Sequence, residues 1–296
     1  MTSRMKYILT SDVECFSFAT SSFDEGVACE IEDRALPRML DLLVRYDIVS
    51  TFFFTGRFAE LSPRSVRMVM RSGHEVACHG YDHNDYYDRM DYQKQLDLLK
   101  KSRSIIEEVS GTEVLSFRAP ALRINKDTVK ALEAAGFRYD SSVASQRFDG
   151  PLTSGAKRKL GWLIAPREPY YLSYDNPFRR GNSSVLEVPI SAFLWPLIGT
   201  HMRLSYILTA QINKLLMSEA RFNGRPIVFL FHPNECLEYK KIRTIRRNNW
   251  FSDELRHVLK MRNLGSRSLN FLELLIRDAR HRGFDFVAIR DYGNGV

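Results

Sequence analysis

The sequence predicts an α/β protein in the form of a closed (β/α) barrel rather than an open sheet. Short apolar, β-branched runs alternate with amphipathic helical patterns, which argues a parallel sheet covered by helices. About seven or eight such units fit into the 296 residues, a size at which barrels close. Ionisable side chains also stand just past several of the apolar runs, where a barrel gathers its functional groups.

The units follow one another in order. A strand is expected at 6–10 (KYILT), then a helix over roughly 30–46 and a strand at 49–54 (VSTFFF). The next helix opens at SPRS, with Ser62 as N-cap, Pro63 at the first helical position and Gly73 just past its end. EVAC (75–78) is the following strand, and a helix then begins after Asp91 and stops at Gly111. VLSF (114–117), a helix from Asn125 to Gly136, and FRYD (137–140) continue the pattern. Residues 141–184 break it: Gly, Pro, Ser, Arg and several tyrosines predict a long loop or insert over one barrel mouth. VLEVPI (185–190), IVFLF (227–231) and FDFVAI (284–289) are the last strands, with helices near 204–222 and 268–282. No internal repeat or low-complexity tract interrupts the chain, so 1–296 is read as one barrel domain with a basic C-terminal part from about 240.

Composition narrows the function classes. The 44% hydrophobic and 12% aromatic content suits a large buried core and argues against wholesale disorder. The four cysteines, Cys15, Cys29, Cys78 and Cys236, are scattered without a CxxC pair, so reduced thiols are expected rather than a disulfide framework. The most apolar stretch, VPISAFLWPLIG, is broken by two prolines and is far short of the roughly 20 residues that span a bilayer. MTSRMKYILTSDVE meets an acid before any long apolar run, so no secretory signal is read and a cytoplasmic location is expected. The net charge of +8 is concentrated from Lys240 onward, where 13 Lys/Arg face 6 Asp/Glu, a net +7. KKIRTIRRNNW is its densest part: a solvated basic face, or an attraction for phosphate-bearing substrate or acidic lipid headgroups. No nucleic-acid motif accompanies it, so nucleic acid is not expected as a partner.

The chemistry concentrates at the strand ends. HEVACHGYDH holds three of the seven histidines. His79 and His83, four apart, would share one side of a helical turn or tight loop. His74 begins a strand and reads as structural, and Cys78 would point opposite to His79. In extended chain Asp12 and Glu14 project to one side, so one carboxylate can join the two histidines in a face that leaves positions open on a metal, while the other remains a base. Arg118 in FRAPALR is placed to aim a carboxylate such as Asp12, Asp140 closes its strand, and His232 in FHPNE could give a proton to a departing amine. Each alone has an ordinary reading, as an acidic turn, a loop arginine or a satisfied histidine. Five strand ends all offering ionisable groups weigh against that.

In order and spacing over about residues 5–235, these stretches resemble the polysaccharide deacetylase family, carbohydrate esterase family 4. TSDVE resembles its first motif in the form with one residue between base and metal-binding acid. HGYDH resembles the paired-histidine motif, FRAP the arginine–proline motif, YDSS the following aspartate motif and LFHP the last histidine motif. STFFFTGRFAE and GHEVACHG also read like the family. The resemblance implies a distorted barrel, usually seven-stranded, and a hydrolase of N-acetyl groups on amino sugars that uses one divalent metal, zinc first and Fe, Co, Ni or Mn as alternatives. It implies Asp12 as general base, Glu14, His79 and His83 as metal ligands, His232 as general acid, Arg118 orienting Asp12, and Asp140 tuning His232 or lining the site. Pro120 and Trp195 would face the substrate, with Trp162 a second candidate for the family's pocket tryptophan. Two positions depart from the pattern: Glu14 stands where Asp is usual, and Leu122 where many members have Gly.

Without a recognised leader, the resemblance implies a nucleotide- or lipid-linked glycan precursor rather than finished wall polymer. The basic C-terminal part and AFLWPLIGTHMRLSYIL would suit a phosphate-bearing substrate at the inner membrane face. Two other readings remain open here: hydrolysis of a formamide or cyclic ureide, as an allantoinase performs, and a degenerate glycan-binding barrel without catalysis.

Overall fold

The computed structural model describes residues 5–17, 22–147, 160–238 and 261–295. Its strands are β1 (Lys6–Val13), β2 (Phe16–Ser17), β3 (Ser22–Phe23), β4 (Thr51–Phe54), β5 (Glu75–Cys78), β6 (Ser116–Phe117), β7 (Tyr139–Asp140), β8 (Tyr170–Tyr171), β9 (Leu186–Glu187), β10 (Ala192–Phe193), β11 (Trp195–Pro196), β12 (Ile227–Phe231) and β13 (Asp285–Phe286). β12, β1, β4, β5, β6, β7 and β9 lie side by side in that order, all parallel. β8 adds antiparallel to the outer edge of β9, and β13 pairs with the start of β1.

The curl of this sheet brings its two ends together. After β9 the chain bonds back to β12: Ser191 N donates to Val228 O at 3.1 Å and Leu230 N to Leu197 O at 3.0 Å. Single bonds, not a ladder, make this closure, and that is the distortion in the seven-stranded barrel. Strands buried on both faces read as continuous apolar runs, and β4 (TFFF) and β12 (IVFLF) are buried along their whole length. A shell of helices, among them Leu36–Arg45, Pro63–Arg71, Tyr92–Ser110 and Tyr206–Asn223, covers the sheet. Asn125 opens Lys126–Ala134 with a reciprocal capping box, as its place before a periodic run predicts.

The structure departs from the sequence reading in four local features. The helix expected over 30–46 starts at Gly26 and passes through a π-helical stretch, Ile31–Ala35, before Leu36–Arg45. Pro37, which has no N–H to give to the regular ladder, sits just past that stretch. A helix at Gly56–Leu61 lies inside a segment read as connection; Thr55 Oγ1 caps it by accepting from Phe58 N at 3.2 Å. Ser62 makes no capping bond, because its hydroxyl is engaged with Ser65 Oγ at 2.7 Å and with Glu32. The helix expected near 204–222 is split into Gly199–Leu204 and Tyr206–Asn223, with Ser205 extended between them.

The later part of the 141–184 segment is not wholly loop, since it supplies a 3₁₀ turn at Leu160–Leu163 and the strand β8. Its stretch 148–159 and the basic run 240–250 lie outside the described residues. Among the described residues, no helix is long and apolar enough to cross a membrane.

Candidate active site

The site grows from the end of β1. Alternation in an extended strand puts Thr10, Asp12 and Glu14 on one side. A single guanidinium nitrogen reads that alternation: Arg118 Nη1 donates to Thr10 Oγ1 at 2.9 Å and to Asp12 Oδ1 at 2.8 Å. Arg118 follows β6 and is fully buried, with its other donors also used. Nε donates to Ser141 O at 2.9 Å, Nη2 to Ser141 Oγ at 2.8 Å, and the guanidinium carbon lies 4.3 Å from the centre of the Phe53 ring. A cation with this many partners can remain charged in the interior, and Asp12 is fixed by one oxygen with Oδ2 left to face the site.

Oδ2 of Asp12 lies 3.7 Å from His79 Nε2, and Glu14 Oε2 lies at the same distance from that nitrogen. The opposite ring nitrogen, Nδ1, is 2.9 Å from the backbone carbonyl of Arg118. A carbonyl only accepts, so Nδ1 carries the proton and Nε2 presents its lone pair to the two carboxylates. Burial holds the His79 pKa below the ordinary imidazole value, against the pull of Asp12 and Glu14, which keeps that lone pair free.

His83 arrives on the loop after β5. Asp85 Oδ2 accepts from Tyr81 N at 3.0 Å and Asp82 N at 2.8 Å, which folds the loop back on itself. Gly80 makes the preceding turn at φ +72°, and a side chain there would press against the Pro120 ring and the Tyr87 hydroxyl. His83 thereby stacks on Phe16 at 4.8 Å and places Nδ1 2.6 Å from Glu14 Oε2. Burial opposes charge on both partners, yet their attraction wins. Glu14 is lowered to about 2 by His83, His79 and His232, and the His83 pKa is raised by Glu14.

His232 follows β12, and its charge acts on Glu14 together with those of His83 and His79. Its Nδ1 is 3.0 Å from Glu235 Oε1, and Glu235 Oε2 accepts from Arg203 Nε at 2.8 Å. Burial disfavours the imidazolium, but Glu235, Asp12 and Glu14 outweigh it and the pKa is raised. Asp12, Glu14, His79, His83, Arg118 and His232 are therefore brought together. Among the described residues, no three His, Cys, Asp or Glu side chains already stand as a metal-ligating cluster.

Asp140 sits elsewhere in the network. It accepts from Ser142 Oγ, which itself accepts from Ala119 N at 2.8 Å, so it braces the turn after Arg118. Its partner across the sheet is Glu187, its register neighbour on β9, and the partner of His232 is Glu235 instead. Both members of the Asp140–Glu187 pair are fully buried. Burial pushes Asp140 up to about 6 against hydrogen bonds from Ser142 and Glu187, and burial together with the Asp140 charge holds Glu187 well above the carboxylate range, so the pair shares a proton.

That pair predicts a pH effect. The folded state keeps protons that the unfolded chain releases near pH 4, so stability falls as pH rises from about 4 through 6 and beyond. Glu187→Gln gives Asp140 a donor that cannot titrate, so thermal unfolding followed from pH 4.5 to 7.5 should show a flatter decline than in the unaltered protein. Parallel profiles would remove the shared proton from the account.

Pro120 packs against Gly80 beside His79, at the start of a turn in which Ala121 and Leu122 both take positive φ, +51° and +56°. Leu122 thus occupies the left-handed region that glycine enters without cost. Trp195 lies on the β10–β11 hairpin, edge-on to His201 at 4.4 Å, and Trp162 is buried beside Arg147. His74 packs on Phe52, and neither ring nitrogen has a hydrogen-bond partner among the described residues. The Cys78 thiol is buried and pushed up to about 12. Sequence reasoning missed Ser141, Glu187 and Arg203. Glu187 had left a signal, an acid in the middle of the apolar run VLEVPI.

With this geometry in place, four similarities bear on the chain. A family model described as polysaccharide deacetylase matches residues 16–139, a span that contains His79, His83 and Arg118 and begins just after Glu14. The chain is 38% identical over 109 residues to the peptidoglycan deacetylase-like protein FGM2 of Gibberella zeae, covering 36% of this chain and 32% of that protein. It is 31% identical over 113 residues to a peptidoglycan deacetylase of Helicobacter pylori, covering 38% of each. The matched part therefore spans between 32% and 38% of the length of these curated relatives. A polysaccharide deacetylase-type protein from Mycobacterium smegmatis superposes with a TM-score of 0.65 at 19% identity, over 100% of this chain and 92% of that one, and shares its fold.

Proposed function

Starting from a chain that belongs to the polysaccharide deacetylase family, we propose that it removes an N-acetyl group from an amino sugar by metal-dependent hydrolysis. The observation that supports this most is the pairing of Asp12 Oδ2 and Glu14 Oε2 around one imidazole nitrogen, each 3.7 Å from His79 Nε2.

The donor set fits a divalent ion. Ligands held at about 2.1 Å from a tetrahedral or octahedral ion stand roughly 3–3.5 Å apart. Glu14 Oε2 is 3.7 Å from His79 Nε2 and 2.6 Å from His83 Nδ1, so Glu14 lies within reach of both imidazoles, and opening its hydrogen bond to His83 would bring the donors to that spacing. The Nδ1–H bond of His79 to a backbone carbonyl is the kind of outer contact that fixes a ligating imidazole. Glu14, His79 and His83 would hold the ion, zinc in our reading. When bound, it supplies Lewis acidity to the amide carbonyl and to the attacking water.

The chain's own groups do the rest. Asp12, held through Oδ1 by Arg118, takes the proton of the water at Oδ2 as that water attacks the acetamide carbon. The C–N bond breaks, and His232 gives the departing nitrogen its proton, leaving acetate and a free amine. A raised His232 pKa suits a donor at neutral pH. Pro120, beside Gly80, and Trp195, on the β10–β11 hairpin, are our candidates for the walls that meet the sugar. The substrate we favour is a nucleotide- or lipid-linked precursor handled at the cytoplasmic membrane face, on the strength of the basic residues from Lys240 onward.

The test is acetate and formate release from N-acetylated and N-formylated amino sugars, free, nucleotide-linked and polyprenyl-linked, with and without chelator. Acetate release that chelator abolishes and divalent metal restores is the expected result. Formate release without acetate would move the chain to the alternative amide chemistry. Release of neither product by metal-loaded protein would end the hydrolase reading.

A further inference from the structure

We propose that Glu235 is a positioning residue for His232, held against it by Arg203 and by the bare backbone of Gly199, and that it sets which ring nitrogen of His232 carries the proton. The proposal deepens the amide-hydrolase reading and rests on it for the role of His232.

Three segments are tied together around Glu235. Glu235 lies in the turn Pro233–Cys236 immediately after His232 and is fully buried. Oε1 meets His232 Nδ1 at 3.0 Å, and Oε2 accepts from Arg203 Nε at 2.8 Å. Arg203, also buried, rides on the helix Gly199–Leu204, and its Nη1 donates to the carbonyl of Arg262 at 3.1 Å. Asn263 Nδ2 in turn donates to the Arg203 carbonyl at 2.7 Å, and Gly265 N to the Glu235 carbonyl at 2.9 Å. A Cβ at Gly199 would stand 2.4 Å from Oε2 and 2.6 Å from Oε1. The carboxylate therefore rests directly on the glycine backbone, and any side chain there would have to displace it.

A carboxylate has acceptors only, so the imidazole nitrogen facing it must carry hydrogen. His232 is accordingly held with Nδ1–H toward Glu235, and Nε2 is the atom free to exchange a proton with the reacting groups. This is the logic by which a buried carboxylate fixes a catalytic histidine's tautomer. Asp140, the other acid near this end of the barrel, is engaged with Glu187 and Ser142. A merely structural ion pair would need Arg203 and Glu235 but would not care which nitrogen of His232 is protonated.

Glu235→Gln separates the two roles. Arg203 Nε, a charged donor, claims the single amide oxygen, which turns the amide NH₂ toward His232. Nδ1 must then accept, and the proton moves to Nε2. The experiment is ¹⁵N NMR of histidine-labelled full-length protein at pH 9, where imidazoles are neutral, with His232→Ala used to assign the signal. We expect Nδ1–H in the unaltered protein, Nε2–H in Glu235→Gln, and a shifted or mixed tautomer in Gly199→Ala.

In the acetate assay, Glu235→Gln should lower kcat about 10²-fold with KM within about twofold. The double variant with His232→Ala should be no slower than His232→Ala alone, because Glu235 acts through that ring. An unchanged His232 tautomer in Glu235→Gln, or multiplicative losses in the double variant, overturns the proposal. Should the unaltered protein hydrolyse no amide, the hydrolase reading falls while the tautomer measurement still decides the role of Glu235.

Discussion

Arg118→Met should destabilise the protein by about 3–5 kcal/mol, the cost of leaving a buried partner charge uncompensated. Arg118 is fully buried and Asp12 only 4% exposed, so the carboxylate cannot turn to water when its guanidinium partner is gone. Thr10 Oγ1, Ser141 O and Ser141 Oγ lose a donor at the same stroke, and methionine offers volume without hydrogen bonds. For a chain of this size the melting temperature should drop by roughly 5–8 °C. Urea unfolding of the single variants and of Arg118→Met/Asp12→Asn checks the cause. Neutralising Asp12 should recover a good part of the loss, since the neutral amide no longer needs a cation. A double variant as unstable as the sum of the singles would mean that Arg118 serves packing alone.

Asp12→Asn should leave the fold in place and remove most of the chemistry. Asparagine keeps an oxygen for Arg118 Nη1, now 2.8 Å from Asp12 Oδ1, so the strand end need not move. It cannot take a proton from water at the position of Oδ2. General bases contribute roughly 10²–10⁴-fold, and a fall in kcat of that size is the expectation. Metal content should be retained, because Glu14, His79 and His83 are untouched.

Much of this was legible in the residues. Runs such as FFF in β4 and IVFLF in β12 are continuously apolar because parallel barrel strands bury both faces, and the ionisable groups just past several such runs mark strand ends. Asp12, Glu14, His79 and His83 could be placed on one face because period-two alternation and a four-residue spacing are local rules. The pairings that complete the site are not local. Glu187 meets Asp140 through strand register, and Arg203 reaches Glu235 from a helix 32 positions earlier in the chain. The outer partner of His79 is a backbone carbonyl, invisible in side-chain patterns. Asp140 was expected to tune His232 or line the site, and the acid that the His232 imidazole meets is Glu235, already present in the adjacent HPNE motif. The split at Ser205 and the π-helical stretch before Leu36 depend on how helices wrap the barrel, and periodicity alone passes over both.

In the proposed mechanism Asp12, the Glu14–His79–His83 group and His232 act as one hydrolytic centre. Acetate released per chain from an N-acetylated amino-sugar substrate, compared between metal-loaded unaltered protein and Asp12→Asn at equal metal content, tests it most directly. Chelator-sensitive release is expected from the former and a rate roughly 10²–10⁴-fold lower from the latter. Equal rates in the two proteins would contradict it.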